Sequence, residues 1–271
     1  MAVRFYTEGH RYQSIDIFDD VKWLSASKIP SLFKKPFDPD MPARCSKSKK
    51  SKWFGISPEE IQQHWTAENI RATTLGTWYH EQEEAKLLNK ETIFRYGREL
   101  PIFRSIWEDG YKAAPNQKLV DGVYPEFLAY LESLHVCGQF DDITVCDGYV
   151  YVDDHKSNKD LKKPAYVNWD GVSEKMLAPL LHLEATKINE YALQLSVGMY
   201  IILRHNPLLK PGPMTLNYVS FEVESENQFG YPVMKLSEVG EPILKSEEKI
   251  EVPYLKREVE LMFEFIKKQR K

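Results

Sequence analysis

Cysteine is scarce in this chain: Cys45, Cys137 and Cys146 are the only three in 271 residues, odd in number and scattered. They supply neither a disulfide framework nor the four thiolates of an iron–sulfur cluster, so no such cluster is expected and a reducing, intracellular, cytoplasmic setting is the simplest expectation. No apolar run approaches the roughly 20 residues that cross a bilayer, and no membrane partner is expected. The opening residues have neither the apolar core of a signal peptide nor the Arg/Ser-rich pattern of a transit peptide. Charge of one sign is not in excess either. A net charge of −4 excludes a globally basic nucleic-acid binder and leaves only local positive patches. There is no internal repeat, and the length suits one domain with elaborations.

The most informative segment is present rather than absent. In Gly138–Lys156 the dipeptide Asp147-Gly148 predicts a two-residue hairpin, because both central positions of a type I′ turn need positive φ. Cys146 then faces Tyr149, and Asp141 falls across from Asp154 with Cβ atoms about 5 Å apart. Lys156, two residues on, shares that face. One face reads Asp141, Ile143, Val145, Val150, Val152, Asp154, Lys156, an apolar stripe ending in two carboxylates and an amine. The other carries Asp142, Thr144, Cys146, Tyr149, Tyr151, Asp153 and His155, and its two aspartates read as ordinary solvated charges. Two carboxylates at a core edge repel and rise in pKa unless a cation lies between them, and a hard divalent ion suits oxygen ligands. A surface hairpin with an Asp–Lys salt bridge fits the same residues.

Elsewhere, Ser57-Pro58-Glu59-Glu60 predicts a helix start, with a serine N-cap, proline at the first position and glutamate at the third. That helix runs towards Leu88, with or without a break, and puts Gly76, His80 and Glu84 on one face. His80 is either a ligand or a satisfied structural histidine. Tyr124–Leu131 reads as a strand feeding the hairpin through a turn at Glu132-Ser133, which pairs Glu126 with Gln139; an edge-strand charge is the other reading of Glu126. A further helix is expected over about 184–203, a strand over 215–223, a hairpin over 232–246 and a closing helix from Pro253. Near the N-terminus, short strands are expected over 3–6 and 12–18, and a short helix over 25–33, interrupted by Pro30. Positive charge gathers at Lys47, Lys49, Lys50 and Lys52, just before Trp53, and again at Lys156, Lys159, Lys162 and Lys163. Such runs can follow a phosphate backbone, with Trp53 stacking on bases, or can be solvated loops.

Taken in order, these pieces resemble the PD-(D/E)XK nuclease superfamily, in particular its RecB-like exonuclease branch with phage and viral members. Gly76-x-x-x-His80-Glu81 is similar to the branch's helix motif, Gly138-x-x-Asp141 to its first hairpin strand, and Asp154-His155-Lys156 to its D-x-K strand. Glu126 stands at the upstream acidic position. Tyr191-x-x-Gln194 is similar to the following helix, although Gly198 stands where the branch has a tyrosine and Tyr200 comes two residues late. The resemblance covers about residues 5–223 and includes His10-Arg-Tyr12, Ser25-Ala-Ser27, Phe37-Asp38 and Trp65.

The resemblance implies an α/β restriction-endonuclease-like core, a central mixed β-sheet flanked by helices, in a single nuclease domain over 1–271. Its parts would be an N-terminal region with the basic loop (1–56), a catalytic core (57–223) and a C-terminal hairpin and helix (224–271). It implies Mg²⁺- or Mn²⁺-dependent cleavage of DNA from single-stranded or duplex ends, alongside a recombination or replication partner, in a cell that hosts a phage or virus. Asp141 and Asp154 would hold the metal, with His80 and the backbone carbonyl of His155. Lys156 would orient water or stabilise the transition state, Glu126 would complete the acidic cluster directly or through water, and Gln194 would contact substrate or steady Lys156. Lys47, Lys49, Lys50, Lys52, Trp53 and Lys159 would bind DNA. Rival readings are a structure-specific or restriction-like endonuclease, a non-catalytic DNA-binding module, and a sugar hydrolase; the last gives no reason for Lys156.

Overall fold

The computed structural model describes residues 3–9, 11–15 and 22–270. Along the chain run β1 (Val3–Tyr6), β2 (Arg11–Ser14), β3 (Leu24–Ser25), α1 (Met41–Lys47), α2 (Pro58–Leu88), β4 (Thr92–Arg95), β5 (Arg98–Pro101), β6 (Trp107–Glu108) and β7 (Tyr111–Lys112). There follow β8 (Gly122–Leu131), β9 (Val136–Cys146), β10 (Tyr149–Lys156), α3 (Lys187–His205), β11 (Lys210–Phe221), β12 (Val223–Glu226), β13 (Pro232–Met234), β14 (Leu244–Val252) and α4 (Lys256–Gln269). The central sheet is mixed. β9 lies antiparallel to β8 and β10, β10 parallel to β11, and β11 antiparallel to β14. Helix α3 supplies the long crossover that a parallel β10–β11 pair requires.

The hairpin forms as its turn chemistry dictates. Asp147 and Gly148 have φ of 50° and 78°, and the ladder runs from Tyr149↔Cys146 to Asp153↔Asp142. Ile143, Val145, Val150 and Val152 are buried with the apolar side of α3 in the main core. Helix α2 also starts as expected: Ser57 Oγ accepts from the Glu60 backbone N–H at 3.2 Å, and Glu60 Oε2 accepts from the Ser57 backbone N–H at 3.2 Å. It then continues unbroken for 31 residues.

Several expectations are corrected. Asp142 is buried and pairs with Arg95 at 2.7 Å, while Arg95 also donates to Thr144 Oγ1 at 2.8 Å. The β4–β5 hairpin carrying Arg95 covers that face, and Tyr96 stacks on Tyr151 with ring centres 3.7 Å apart. Asp153 lies on the same covered face, and burial, followed by the charge of Asp142, raises its pKa. Neither aspartate is an ordinary solvated charge. The turn after β8 is a 3₁₀ turn over Glu132–Leu134, closed by His135 with φ 48°, which moves the β8–β9 register two residues from a tight Glu132-Ser133 turn. Leu128 therefore faces Gln139, and Glu126 falls level with Asp141, between the pairs Phe127↔Phe140 and Pro125↔Asp142.

The expected helix over 25–33 is two 3₁₀ turns, Ala26–Lys28 and Pro30–Phe33. The hairpin expected over 232–246 is present in a short form: Leu236 bridges Pro242 antiparallel, with the Ser237 N–H donating to the Glu241 carbonyl at 2.8 Å; β13 also pairs back with β12, and β14 joins the main sheet beside β11. His10 and residues 16–18 of the expected early strand lie outside the described residues.

Candidate metal centre

The site lies where β9 loses its partner. The β9–β10 ladder stops at Asp153↔Asp142, and farther back along β9 the short strand β3 pairs with Val136 and Cys137. In the gap, the backbone N–H of His155 donates to Asp141 Oδ2 at 2.7 Å. Gly138, three residues earlier on β9, lets the 3₁₀ turn following β3 pack closely: a Cβ there would lie 2.7 Å from that of Ala26.

Four elements deliver side chains to this gap. Helix α2 brings His80, whose Nδ1 lies 3.1 Å from Asp141 Oδ2. Strand β10 brings Asp154, which is 2% exposed, and Lys156, which forms an ion pair with it. Strand β8 brings Glu126 in a left-handed conformation, φ 49°, that costs a non-glycine residue about 1–2 kcal/mol. That kink interrupts the ladder at the level of Asp141. Suitable ligand atoms of His80, Glu126 and Asp141 lie within 4.8 Å of one another. Asp154 lies outside that group of three, its buried Oδ2 facing the Lys156 ammonium.

The charges are strongly linked. Burial disfavours protonated His80, but the charge and hydrogen bond of Asp141 outweigh it and push His80 up to about 9. Burial raises the Asp141 carboxyl, yet His80, Lys156 and the His155 N–H hold it well below the usual carboxylate range. Glu126 is pushed up to about 7 by burial and by the charge of Asp141. Burial also raises Asp154, against the pull of Lys156. Lys156 is kept charged: burial opposes this, and Asp154 and Asp141 overcome it. A mixed oxygen and nitrogen donor set of this kind fits Mn²⁺ or Mg²⁺, with the histidine favouring the softer Mn²⁺.

A residue that the sequence reading missed completes the cluster. Lys112 is 1% exposed, and its Nζ donates to the Glu126 carbonyl at 2.8 Å and to Gln139 Oε1 at 3.1 Å. Gln139 in turn donates to the Glu126 carboxylate. Lys112 thus brackets the kinked residue from β7, an inner strand of the small sheet β2-β1-β7-β6. Burial lowers its pKa, against the attraction of Glu126 and Glu84. Its signal was available, since Asp109-Gly110 is the same turn dipeptide as Asp147-Gly148 and also has positive φ at both residues.

The remaining predicted residues are dispersed. Gln194 is half-buried on α3 and lines neither of the cavities that meet at Lys156; Tyr191, one turn earlier, lines both and receives the Lys156 ammonium over its ring at 4.8 Å. Tyr200 faces away, edge-on to Phe263 of α4. The amide of His155 serves Asp141, and its imidazole lies edge-on to Tyr79 and His80. Lys47, Lys49, Lys50 and Lys52 are exposed on and after α1. Trp53 is not available to stack on bases: it is 4% exposed, with its ring stacked on Phe229 at 4.5 Å. Tyr231, two residues on from Phe229, instead has Lys52 at 4.7 Å and Lys159 at 5.1 Å from its ring centre.

No family model, curated protein or solved structure matches this chain. No helix among the described residues is long and apolar enough to cross a membrane.

Proposed function

We propose that this protein is a metal-dependent DNA exonuclease with a PD-(D/E)XK-type core, acting in recombination, replication or repair. The observation that carries the reading is the gap between β9 and β10, where Asp141, Asp154 and Lys156 converge with His80 and Glu126. Asp141, Asp154, His80 and Glu126 would hold Mg²⁺ or Mn²⁺. Bound there, such an ion lowers the pKa of a water and neutralises charge developing on a phosphate. Lys156, kept charged by two aspartates, orients the attacking water and stabilises negative charge on the phosphate oxygens. The water oxygen bonds to phosphorus, the bond to one sugar oxygen breaks, and that oxygen takes up a proton. His80 and Asp141 hold one another in register before the metal binds. Exposed lysines at 47, 49, 50 and 52, with Lys159, supply a sequence-independent attraction for DNA.

End-labelled linear DNA, single- and double-stranded, incubated beside covalently closed circles with Mn²⁺, Mg²⁺ or chelator tests this. Loss of linear DNA alone, dependent on metal and abolished by Asp141→Ala, is expected. Cleaved circles would make the protein an endonuclease on the same core, and binding without cleavage would make it a DNA-binding module.

A further inference from the structure

Two cavities of different charge meet at the candidate metal centre. The first, a groove of about 600 Å³, runs between α2, the end of β11 and the β12–β13 hairpin. Its charged lining is Arg71, Lys156 and Lys159 against the single carboxylate Glu68. Tyr231 forms part of its wall, with the exposed Lys52 beside the ring. The second, a chamber of about 790 Å³, opens on the other side, towards β1 and β6 of the small N-terminal sheet. There four carboxylates, Glu81, Glu84, Glu126 and Asp141, stand against Lys112 and Lys156. With Glu126 and Asp141 assigned to a metal, Glu81 and Glu84 balance Lys112 and Lys156, so the chamber carries no excess of cations. His80, Lys156, Tyr191 and Thr73 line both cavities, so the reacting centre is the waist between them.

We infer that the two sides divide the substrate: the uncut body of the DNA lies along the basic groove, and the terminal piece released by cleavage occupies the chamber beyond the waist, which lacks that excess of cations. This rests on the nuclease reading above and adds a direction to it. A polyanion held before cleavage gains from the groove's excess of cations, whose counterion release favours binding. Tyr231 offers a ring on which a base can stack without sequence preference. The groove has the volume of a small-ligand site, room for one strand rather than two, so its occupant is single-stranded DNA. On the other side, Glu81 and Glu84 offset the lysines, so the short product is held less firmly than the body of the strand and departs first.

The test separates binding from cutting. A fluorescently labelled single-stranded oligonucleotide is titrated in chelator, over a range of salt, with wild type, a Lys52→Glu/Lys159→Glu double variant and Thr77→Trp; Thr77 is an exposed α2 residue lining only the chamber. The double variant is expected to lose about tenfold or more in affinity, with the salt slope reduced by about 0.7 per lost phosphate contact. Thr77→Trp is expected to bind within about twofold of wild type, and in Mn²⁺ to release a shifted distribution of product lengths. Circular dichroism of both variants checks the fold. Wild-type binding by the double variant, or an equal or larger loss in Thr77→Trp, would overturn the inference. Expected binding changes with no cleavage of any DNA would refute the nuclease reading and leave the position of the bound strand intact.

Discussion

Gly198 brings α3 against Phe140 of β9, and Gly198→Ala measures how closely the two pack. An added Cβ would lie 2.3 Å from Cε1 of Phe140, 2.5 Å from Cζ and 2.8 Å from Cδ1. Carbon pairs rest at about 3.5–4.0 Å, so the ring must retreat by about 1 Å. It has little room: Phe140 is 1% exposed, and Gly138 closes on its other edge, where a Cβ would sit 3.2 Å away. Overpacking of this kind costs about 1–3 kcal/mol, and exchanging glycine for alanine within a helix returns up to about 1 kcal/mol. The net expectation is a loss of about 1–2 kcal/mol. With an m-value of about 3 kcal/mol/M in urea, the unfolding midpoint should fall by about 0.5 M at unchanged m. Phe140 precedes Asp141, so cleavage should fall as well. Phe140→Leu in the same background should recover part of the stability, as coupled neighbours do. A midpoint that rises would mean that helix propensity dominates and that the contact between α3 and β9 is looser than described.

Other expectations follow from the buried charges. Arg95→Ala strands Asp142 beneath the β4–β5 hairpin and should cost about 3 kcal/mol, read by thermal unfolding; a loss under about 0.5 kcal/mol would contradict the pairing. Lys112→Met removes donors from the Glu126 carbonyl and Gln139, and calorimetric titration should show weaker Mn²⁺ binding; unchanged affinity would reduce Lys112 to filler. In the metal-free protein Glu126 and His80 hold protons more tightly folded than unfolded. Their stabilisation is complete below about pH 4.3 and pH 6.5 respectively, and is lost as pH rises through about 7 for Glu126 and about 9 for His80. Asp141 acts oppositely, its contribution present above about pH 3.9 and lost only in stronger acid. Scanning calorimetry in chelator should therefore find Tm declining from about pH 5 to 9, while Mn²⁺, which displaces both protons, binds more tightly across that range. A metal-free Tm that climbs with pH would refute this.

The sequence made local features legible and distant coverings invisible. Asp147-Gly148 fixed the hairpin register because few residues accept positive φ, and that register put Asp141, Asp154 and Lys156 on one face. The Ser57–Glu60 capping box located α2, and with it His80. Periodicity failed for Asp142 and Asp153, because a polar face reads as solvated until β4 and β5 cover it, and their turn is Tyr96-Gly97, a weaker signal than Asn-Gly or Asp-Gly. Trp53 was misjudged for a similar reason. The residue that buries it, Phe229, lies far along the chain, and no spacing rule links the two. Glu126 entered the cluster through a strained φ rather than through the strand alternation that had paired it with Gln139.

The most direct measurement is Mn²⁺-dependent hydrolysis of end-labelled linear DNA by wild type, Asp154→Ala and Lys156→Ala, with Mn²⁺ binding to each followed by calorimetry. The account predicts that Asp154→Ala loses both metal and cleavage, whereas Lys156→Ala keeps the metal and loses cleavage by a factor of about 10² or more. Full cleavage by Lys156→Ala, or cleavage by wild type in excess chelator, would contradict it.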